Sequence, residues 1–565
     1  MNIVIAPETQ IDGYKVDHRR QYPDKTQLIA SNLTARGTRR TGTDKVVFFG
    51  LQYFLKEYLI NQWNQNFFQQ PLDKVLARFS RHINNYLGPN QVGVSHIAAL
   101  HNLGYLPISI RALPEGSAHK LRIPSLLIYN TQPDFFWLTN YLETILSTTV
   151  WGPCTSATTA FEYKKLLTRF ALETVGDAGF VQWQGHDFSF RGMYGMEAAL
   201  MSGGAHLTSF TGTDTIPAID WLEGYYNANS DKELIGGSVA ATEHSVACST
   251  ILNFVEKVRV ETDGTVVEDE LMNLADVEYV KHLITEIYPE GIVSIVADSF
   301  DYWNTITNTA RILKDVIMGR NGKVVFRPDT GDPVKVVCGY KSLEVSGDWT
   351  GSNIDIEDND IEVVKENGSY FLVETNYPYP DSGPEYSRGE PITDAEVKGS
   401  IECLWDIFGG TTTAKGYKLL DQHVGLIYGD SITLDRANRI SQGLKDKGFA
   451  SINIVYGIGS FTYQYVTRDT DQYAVKATFA VVDGKDINIY KKPKTGDGMK
   501  NSARGLVAVF KDEKGEFYLK DNATWTEVEN CELKEVFRDG KLLIDQTLAE
   551  IRARVDQNVQ KSLAI

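Results

Sequence analysis

The chemistry of this chain gathers where short apolar runs end. Seven times such a run gives way to a small loop rich in Asp, Arg, His, Ser or Gly. The most informative is Gly322 to Val334, where Val324 to Phe326 read as a buried strand and Arg327-Pro328-Asp329-Thr330-Gly331 follows. An Arg and an Asp two residues apart at a strand end can hold a phosphate with one side chain and a ribose hydroxyl or a metal with the other. An ordinary surface turn looks similar, so the pattern takes its meaning from its partners. These are His186-Asp187-Phe188-Ser189-Phe190-Arg191-Gly192, Gly212-Thr213-Asp214-Thr215, Glu243-His244-Ser245, Asp298-Ser299-Phe300-Asp301, Gly429-Asp430-Ser431 and Gly457-Ile458-Gly459-Ser460.

Arg191, Arg327 and Arg468, at or near such ends, can grip phosphate oxygens bidentately. Turns at Gly331, Gly429 and Gly457 to Ser460 can offer backbone N–H groups to the same phosphates. Asp298, Asp329 and Asp430 can hold ribose hydroxyls, directly or through Mg2+. Together these groups suit a phosphorylated sugar. There is no P-loop, GxGxxG, HExxH or GxSxG pattern to indicate other chemistry. Taken singly, His244 is compatible with a structural role, and Asp214 with capping a helix over Ile216 to Tyr226.

Loops this scattered need a frame that turns them toward one another. Most are followed by a helical pattern, such as Tyr302 to Met318 or Leu434 to Lys447. Strand, loop and helix in repetition mean a parallel α/β architecture, and six or seven units predict a closed or nearly closed (β/α) barrel with its site at the carboxyl ends of the strands. The barrel is expected over residues 151–464. Ahead of it, Gly50 to Trp63 and Trp137 to Leu146 show helical spacing, and Phe161 to Thr174 reads as a helix ended by Gly176. Beyond it, Phe479 to Val482, Ile487 to Tyr490 and Leu506 to Phe510 read as antiparallel strands, and Leu548 to Val559 as a terminal helix. Residues 1–150 and 465–565 are therefore expected to build a mixed α/β domain. Between 337 and 398 the alternation breaks; an inserted, β-rich surface subdomain is expected there, with Ile354 to Glu362 as one strand. Lys485, Lys491, Lys492, Lys494, Lys500 and Arg504 form a basic hairpin that either guards a sheet edge or meets phosphate.

A chain of 565 residues is too long for one core. Its net charge of −17 argues against a general nucleic-acid binder, so positive charge for phosphates must be collected locally. No apolar run approaches the roughly 20 residues of a membrane span. Five scattered cysteines without a CxxC pair, and an N-terminus lacking the features of a secretion signal, lead to the expectation of a cytoplasmic protein without structural zinc.

In chain order, the loops at His186–Gly192, Gly212–Thr215, Glu243–Ser245, Asp298–Asp301, Arg327–Gly331, Gly429-Asp430 and Thr467-Arg468-Asp469, with Asp12-Gly13-Tyr14-Lys15-Val16 and Phe49-Gly50-Leu51-Gln52-Tyr53, resemble the nicotinamide phosphoribosyltransferase family over nearly the whole chain except residues 337–398. The resemblance implies a type II phosphoribosyltransferase fold and transfer of phosphoribose from phosphoribosyl pyrophosphate to nicotinamide, giving the mononucleotide and pyrophosphate in NAD salvage. It further implies Mg2+ with Asp329 as a ligand, facultative ATP coupling through a phospho-accepting His244, and a homodimer with shared sites. Arg191, His244 and Arg327 would lie on the pyrophosphate side. Gly429, Asp430, Gly459, Ser460 and Arg468 would hold the ribose and its 5′-phosphate, while Asp298 and Asp329 join His244 as catalytic groups. Phe188 and Tyr14 from the partner subunit would sandwich nicotinamide, with Ser294 beside it, and Lys491 and Lys500 would reach phosphates across the interface. Asp214 would accept from a carboxamide and repel a carboxylate. Trp183 replaces the family's common tyrosine, and Ser460 interrupts a glycine cluster. The alternatives are a nicotinate-type phosphoribosyltransferase, which would want a cation where Asp214 stands, and a non-catalytic sugar-phosphate or nucleotide binder on the same scaffold.

Overall fold

A computed structural model describes residues 5–263, 265–345, 361–377, 384–429, 431–490 and 503–564. Each of the seven loops follows a short strand: β1 (Gly185–Asp187), β2 (Gly212–Thr213), β3 (Ala240–Ala241), β4 (Gly291–Val296), β5 (Gly322–Arg327), β6 (Val424–Tyr428) and β7 (Ile454–Ile458). Their pairings are all parallel, in the spatial order β2-β1-β7-β6-β5-β4-β3. That is chain order written around a ring, with its seam between β2 and β3. A bridge from Gly212 to Gly237, just ahead of β3, crosses the seam. There the N–H of Thr213 donates to the Gly237 carbonyl at 3.0 Å, and that of Gly237 to the Thr211 carbonyl at 2.9 Å. The sheet is thus a nearly closed barrel whose last seam is held by a bridge instead of a full ladder.

Side-chain alternation along the strands divides the barrel into two environments. Val293, Ile295, Val324 and Phe326 are fully buried in the core formed with the surrounding helices. The alternate residues Ile292, Ser294, Lys323, Val325 and Arg327 line an interior cavity. Continuous apolar runs explain why the strands are readable in sequence: both faces are covered.

The helices depart from expectation in places. The expected helix 161–174 is the second part of one 32-residue helix, Glu143–Thr174, which carries Pro153 inside it, while the expected helix around 137–146 is split between a short helix, Leu138–Tyr141, and the start of the long one. Its early residues Leu146, Val150 and Cys154 pack in the core of the N- and C-terminal parts, and Ala160, Tyr163 and Leu167 in that of the barrel. The position chosen between residues 150 and 151 therefore falls within a continuous helix. Gly50 to Trp63 is helical but wound wide over Phe54–Gln62, and Tyr302 to Met318 is divided by a wide turn at Thr305–Thr309. Among the described residues no helix is long and apolar enough to cross a membrane.

The second large sheet interleaves the two ends of the chain. Its antiparallel order is Lys485–Asn488, Tyr473–Val482, Thr26–Ala35, Pro124–Asn130, Ile108–Ala112, Lys534–Arg538 and Lys541–Leu542. The Asp483-Gly484 hairpin turn has φ of +50° and +71°, the double left-handed geometry that matches strand twist. Within the insertion, Ser342–Val345, Val363–Glu366, Ser369–Asn376 and Glu385–Ile392 form a separate four-stranded sheet. Most of the strand expected over Ile354 to Glu362 lies outside the described residues.

Glu115 joins the two parts of the molecule. Its buried carboxylate accepts the N–H groups of Gly50 (2.7 Å) and Gln52 from the N-terminal part, and the Tyr226 hydroxyl (3.0 Å) from the helix after β2. Burial pushes its pKa up to about 7 against these donors. Removing it strands buried N–H groups, so Glu115→Ala should lower stability by about 2–5 kcal/mol, read as a reduced urea midpoint at neutral pH. Glu115→Gln, which keeps one acceptor, should fall between it and the wild type.

Candidate active site

A cavity of about 440 Å3 runs along the inside of the barrel and reaches the carboxyl ends of the strands. His186, Phe188, Asp214, Ser294 and Arg327 line that end, while Ile292, Lys323 and Ile452 lie toward the amino ends. Trp183 is also in the wall.

The Phe188 ring is seated by glycines. A Cβ on Gly457 would stand 2.5 Å from the ring, and one on Gly429 3.7 Å from it. Asp187 fixes the loop that carries Phe188: its Oδ1 accepts the Ser189 N–H at 2.9 Å, and its Oδ2 the Thr215 hydroxyl at 2.7 Å. The same carboxylate thereby locks the loop bearing Asp214 to the loop bearing Phe188.

Asp214 does not cap the following helix. Pro217–Tyr226 begins after Ile216, without a side-chain cap. The carboxylate turns into the cavity instead, where His186 Nε2 lies 2.8 Å and Ser238 Oγ 3.0 Å from Oδ1. Burial pushes its pKa upward, but hydrogen bonds from His186 and Ser238 and the positive charge of Arg327 outweigh this and hold the carboxyl below its usual range. Behind it His206 is fully buried, its Nε2–H on the Gly212 carbonyl (2.9 Å) and its Nδ1 accepting from the Tyr463 hydroxyl (2.7 Å). Burial lowers the His206 pKa to about 4.

Asp298 is the organising carboxylate on the opposite side. Its side chain is 2% exposed, and Oδ1 meets His244 Nε2 at 3.1 Å. Oδ2 accepts both the Asp329 N–H and the Thr330 hydroxyl at 2.9 Å. One side chain after β4 therefore positions both His244, at the start of helix His244–Glu261, and the Arg327–Gly331 turn after β5. Gly331 has φ of +93°, a conformation natural to glycine. Thr242 ties the next pair of strands: its N–H donates to the Ser294 carbonyl, its hydroxyl accepts from Val296 N–H, and its carbonyl accepts from Arg327 Nη2.

Arg191 lies on the turn Phe190–Gly192, pressed against the Gly459-Ser460 turn; a Cβ on Gly192 would stand 2.0 Å from Ser460 Oγ. Tyr14 and Arg468 sit elsewhere. They line a second cavity of about 420 Å3 with Asp12, Glu143, Thr144 and Asp469. Within the chain Arg468 and Tyr14 line the same cavity. Asp430, Lys491 and Lys500 lie outside the described residues.

His186 and Asp187 lie in a loop motif, and Ser238 and Thr242 just ahead of Glu243-His244-Ser245, but none received a role from the sequence. Their contacts run between loops that are 24 to 85 residues apart in the chain, as in Ser238–Asp214 and Thr242–Arg327. Gly457→Ala should push the Phe188 ring aside and crowd the Gly429 backbone, whose Cα would lie 2.9 Å from the new Cβ. The expected outcome is a rise of about tenfold in KM for the base with a lowered melting temperature, measured by steady-state kinetics and a melting curve.

A seven-stranded parallel barrel with arginine, aspartate and glycine loops at one mouth defines a type II phosphoribosyltransferase. Residues 183–541 match the nicotinate phosphoribosyltransferase (NAPRTase) family, and residues 5–110 match the nicotinamide phosphoribosyltransferase N-terminal domain. The chain is 44% identical to a nicotinamide phosphoribosyltransferase of Acinetobacter baylyi over 99% of both chains, and 31% identical to one of Mycoplasma pneumoniae over 87% of this chain and 93% of that one. The fold is shared with human nicotinic acid phosphoribosyltransferase (TM-score 0.51, 13% identity, 97% of this chain and 93% of that one) and with a nicotinate-nucleotide pyrophosphorylase from Pyrococcus furiosus (TM-score 0.50, 12% identity, 100% and 99%). The protein belongs to the nicotinate phosphoribosyltransferase family, in its nicotinamide phosphoribosyltransferase branch.

Proposed function

We infer that the protein transfers the phosphoribosyl group of phosphoribosyl pyrophosphate to nicotinamide, releasing pyrophosphate, as a step of NAD salvage. One observation carries the choice of base. The cavity presents an ionised acceptor, Asp214, and a hydroxyl donor, Ser294 Oγ, which is buried and has no hydrogen-bond partner among the described residues. A carboxamide matches both: its NH2 donates to Asp214 and its carbonyl accepts from Ser294. A carboxylate leaves Asp214 facing like charge.

The rest follows from the transition state, in which the ribose gains oxocarbenium character as pyrophosphate departs. Phe188 holds the flat ring so that its nitrogen lies in line with the anomeric carbon. Arg191 and Arg327 neutralise charge developing on the leaving group, and the Gly429 and Gly459-Ser460 turns receive the ribose phosphate. Among the described residues no cluster of three or more acidic, His or Cys side chains is arranged for a metal. Mg2+ commonly binds through one or two carboxylates together with substrate phosphates. Asp329 would supply the carboxylate, and the ion would supply charge neutralisation at the phosphate oxygens. His244, held by Asp298, is the residue through which ATP hydrolysis would be coupled.

Nicotinamide and nicotinic acid compared side by side with phosphoribosyl pyrophosphate test the reading. Mononucleotide should form from nicotinamide, and Asp214→Asn should reduce the preference over nicotinic acid by about 10–100-fold. Equal turnover of both bases by the wild type would reject the assignment.

The homodimer is supported by the distribution of Tyr14 and Arg468, which share a cavity apart from Phe188 in the same chain. In a two-fold dimer the same surface of each subunit meets its counterpart, so these groups can serve the partner's barrel mouth. Tyr14→Ala and Arg191→Ala, each inactive alone, should recover about a quarter of wild-type activity when subunits are exchanged. No recovery after proven exchange would place each site within one chain. The enzyme is proposed to act in the cytoplasm, where its substrates would be phosphorylated metabolites.

A further inference from the structure

We propose that His186 is a positioning residue that keeps Asp214 a one-sided acceptor, and thereby sets the pH below which the pocket stops distinguishing nicotinamide from nicotinic acid. The inference rests on the reading of Asp214 given above and extends it to a group that does not itself meet the base.

Three features single out His186. Its Nε2 and Ser238 Oγ both converge on Asp214 Oδ1, at 2.8 and 3.0 Å, so Oδ2 is the oxygen left for a ligand. Its ring is confined between Phe188, with centroids 4.7 Å apart, and the backbone of β2, where a Cβ on Gly212 would stand 2.7 Å from Nδ1. It cannot swing away without moving the aromatic ring that supports the base. It is also the more buried of the two donors, Ser238 being exposed.

The other charged and titratable groups around the pair have prior attachments. Arg327, from β5, donates to the Thr242 carbonyl while adding positive charge near Asp214. Asp187 spends both oxygens on Ser189 and Thr215. His206, from helix Met196–His206, is held neutral by burial and faces the Gly212 carbonyl and Tyr463. Donation directly onto Asp214 therefore comes from His186 and Ser238.

The direction of the pH effect follows. Burial favours the protonated carboxyl, and the donors oppose it. In the wild type Asp214 remains ionised until the pH falls below the usual carboxylate range, and nicotinic acid is refused down to that point. Once protonated, Asp214 can donate its O–H to a carboxylate, and the refusal ends. Without a donor at 186, burial has less opposition, protonation occurs at higher pH, and discrimination fails sooner as pH falls.

The test is the ratio of kcat/KM for nicotinamide to that for nicotinic acid, measured from about pH 5 to pH 8. It compares the wild type, His186→Gln, His186→Phe, His186→Ala and Asp214→Asn, with folding checked by melting curves. His186→Phe and His186→Ala remove the donor with opposite steric demands, so either one that folds suffices. Both should lower the ratio about 10–100-fold at the acidic end and move its fall to higher pH. His186→Gln restores an N–H near the position of Nε2 and should recover much of the discrimination, which loss of packing alone does not predict. If Asp214→Asn abolishes discrimination while a folded donor-less His186 variant keeps the wild-type ratio at every pH, the proposal is overturned and the reading of Asp214 stands. If Asp214→Asn leaves the ratio unchanged, both fall together.

Discussion

The structure depends on the closure of a parallel sheet. A flat sheet of seven strands would spread its loops along a line of some 30 Å, at about 4.8 Å per strand. Curled into a ring, with Gly212 bridged to Gly237 across the seam, the same loops face one another around a single mouth. Everything chemical in the molecule follows from that geometry: Asp214 after β2 and Arg327 on β5, far apart along an open sheet, line one cavity. At the seam the full ladder gives way to the bridge between Gly212 and Gly237.

Within the mouth, two buried carboxylates do the positioning. Asp187 binds the Phe188 loop to the Asp214 loop, and Asp298 binds His244 to the turn bearing Asp329. Each spends both oxygens on neighbours, so neither is left with an uncompensated charge in a low-dielectric surround. The residues that meet substrate can then be held in one geometry before it arrives, which is what oriented transfer of a flat base onto an anomeric carbon requires. Half-exposed His244 and the exposed turns of Arg191 and Arg468 stand outside this rigid set.

The strands of the barrel and most of their loops were legible because each is a local signal: an apolar run, then Gly, Asp or Arg. Arg327-Pro328-Asp329 was found this way, as were Phe188 and Asp214. The hairpin at Asp483-Gly484 and the terminal helix Leu548–Ser562 were equally local. Helix Glu143–Thr174 was read as pieces because its buried face changes partners midway: Val150 packs in one core and Tyr163 in the other, so no single apolar stripe runs its length. Asp214 illustrates the limit within a motif. Its type and place before a helix fit an N-cap, yet the loop turns its carboxylate to His186 and Ser238.

By itself the sequence determined the chemistry on offer: which strand ends carry cations, carboxylates and glycines, and, through resemblance, which reaction they serve. Those are properties of composition and short-range order. The tertiary structure decided which groups act together. It joined His186 to Asp214 and His244 to Asp298, separated Tyr14 and Arg468 from Phe188, and gave Ser294 an unpaired hydroxyl inside the cavity. Such pairings depend on the curvature of the sheet and on which face of each strand turns inward, and these are fixed by packing between elements distant in the chain.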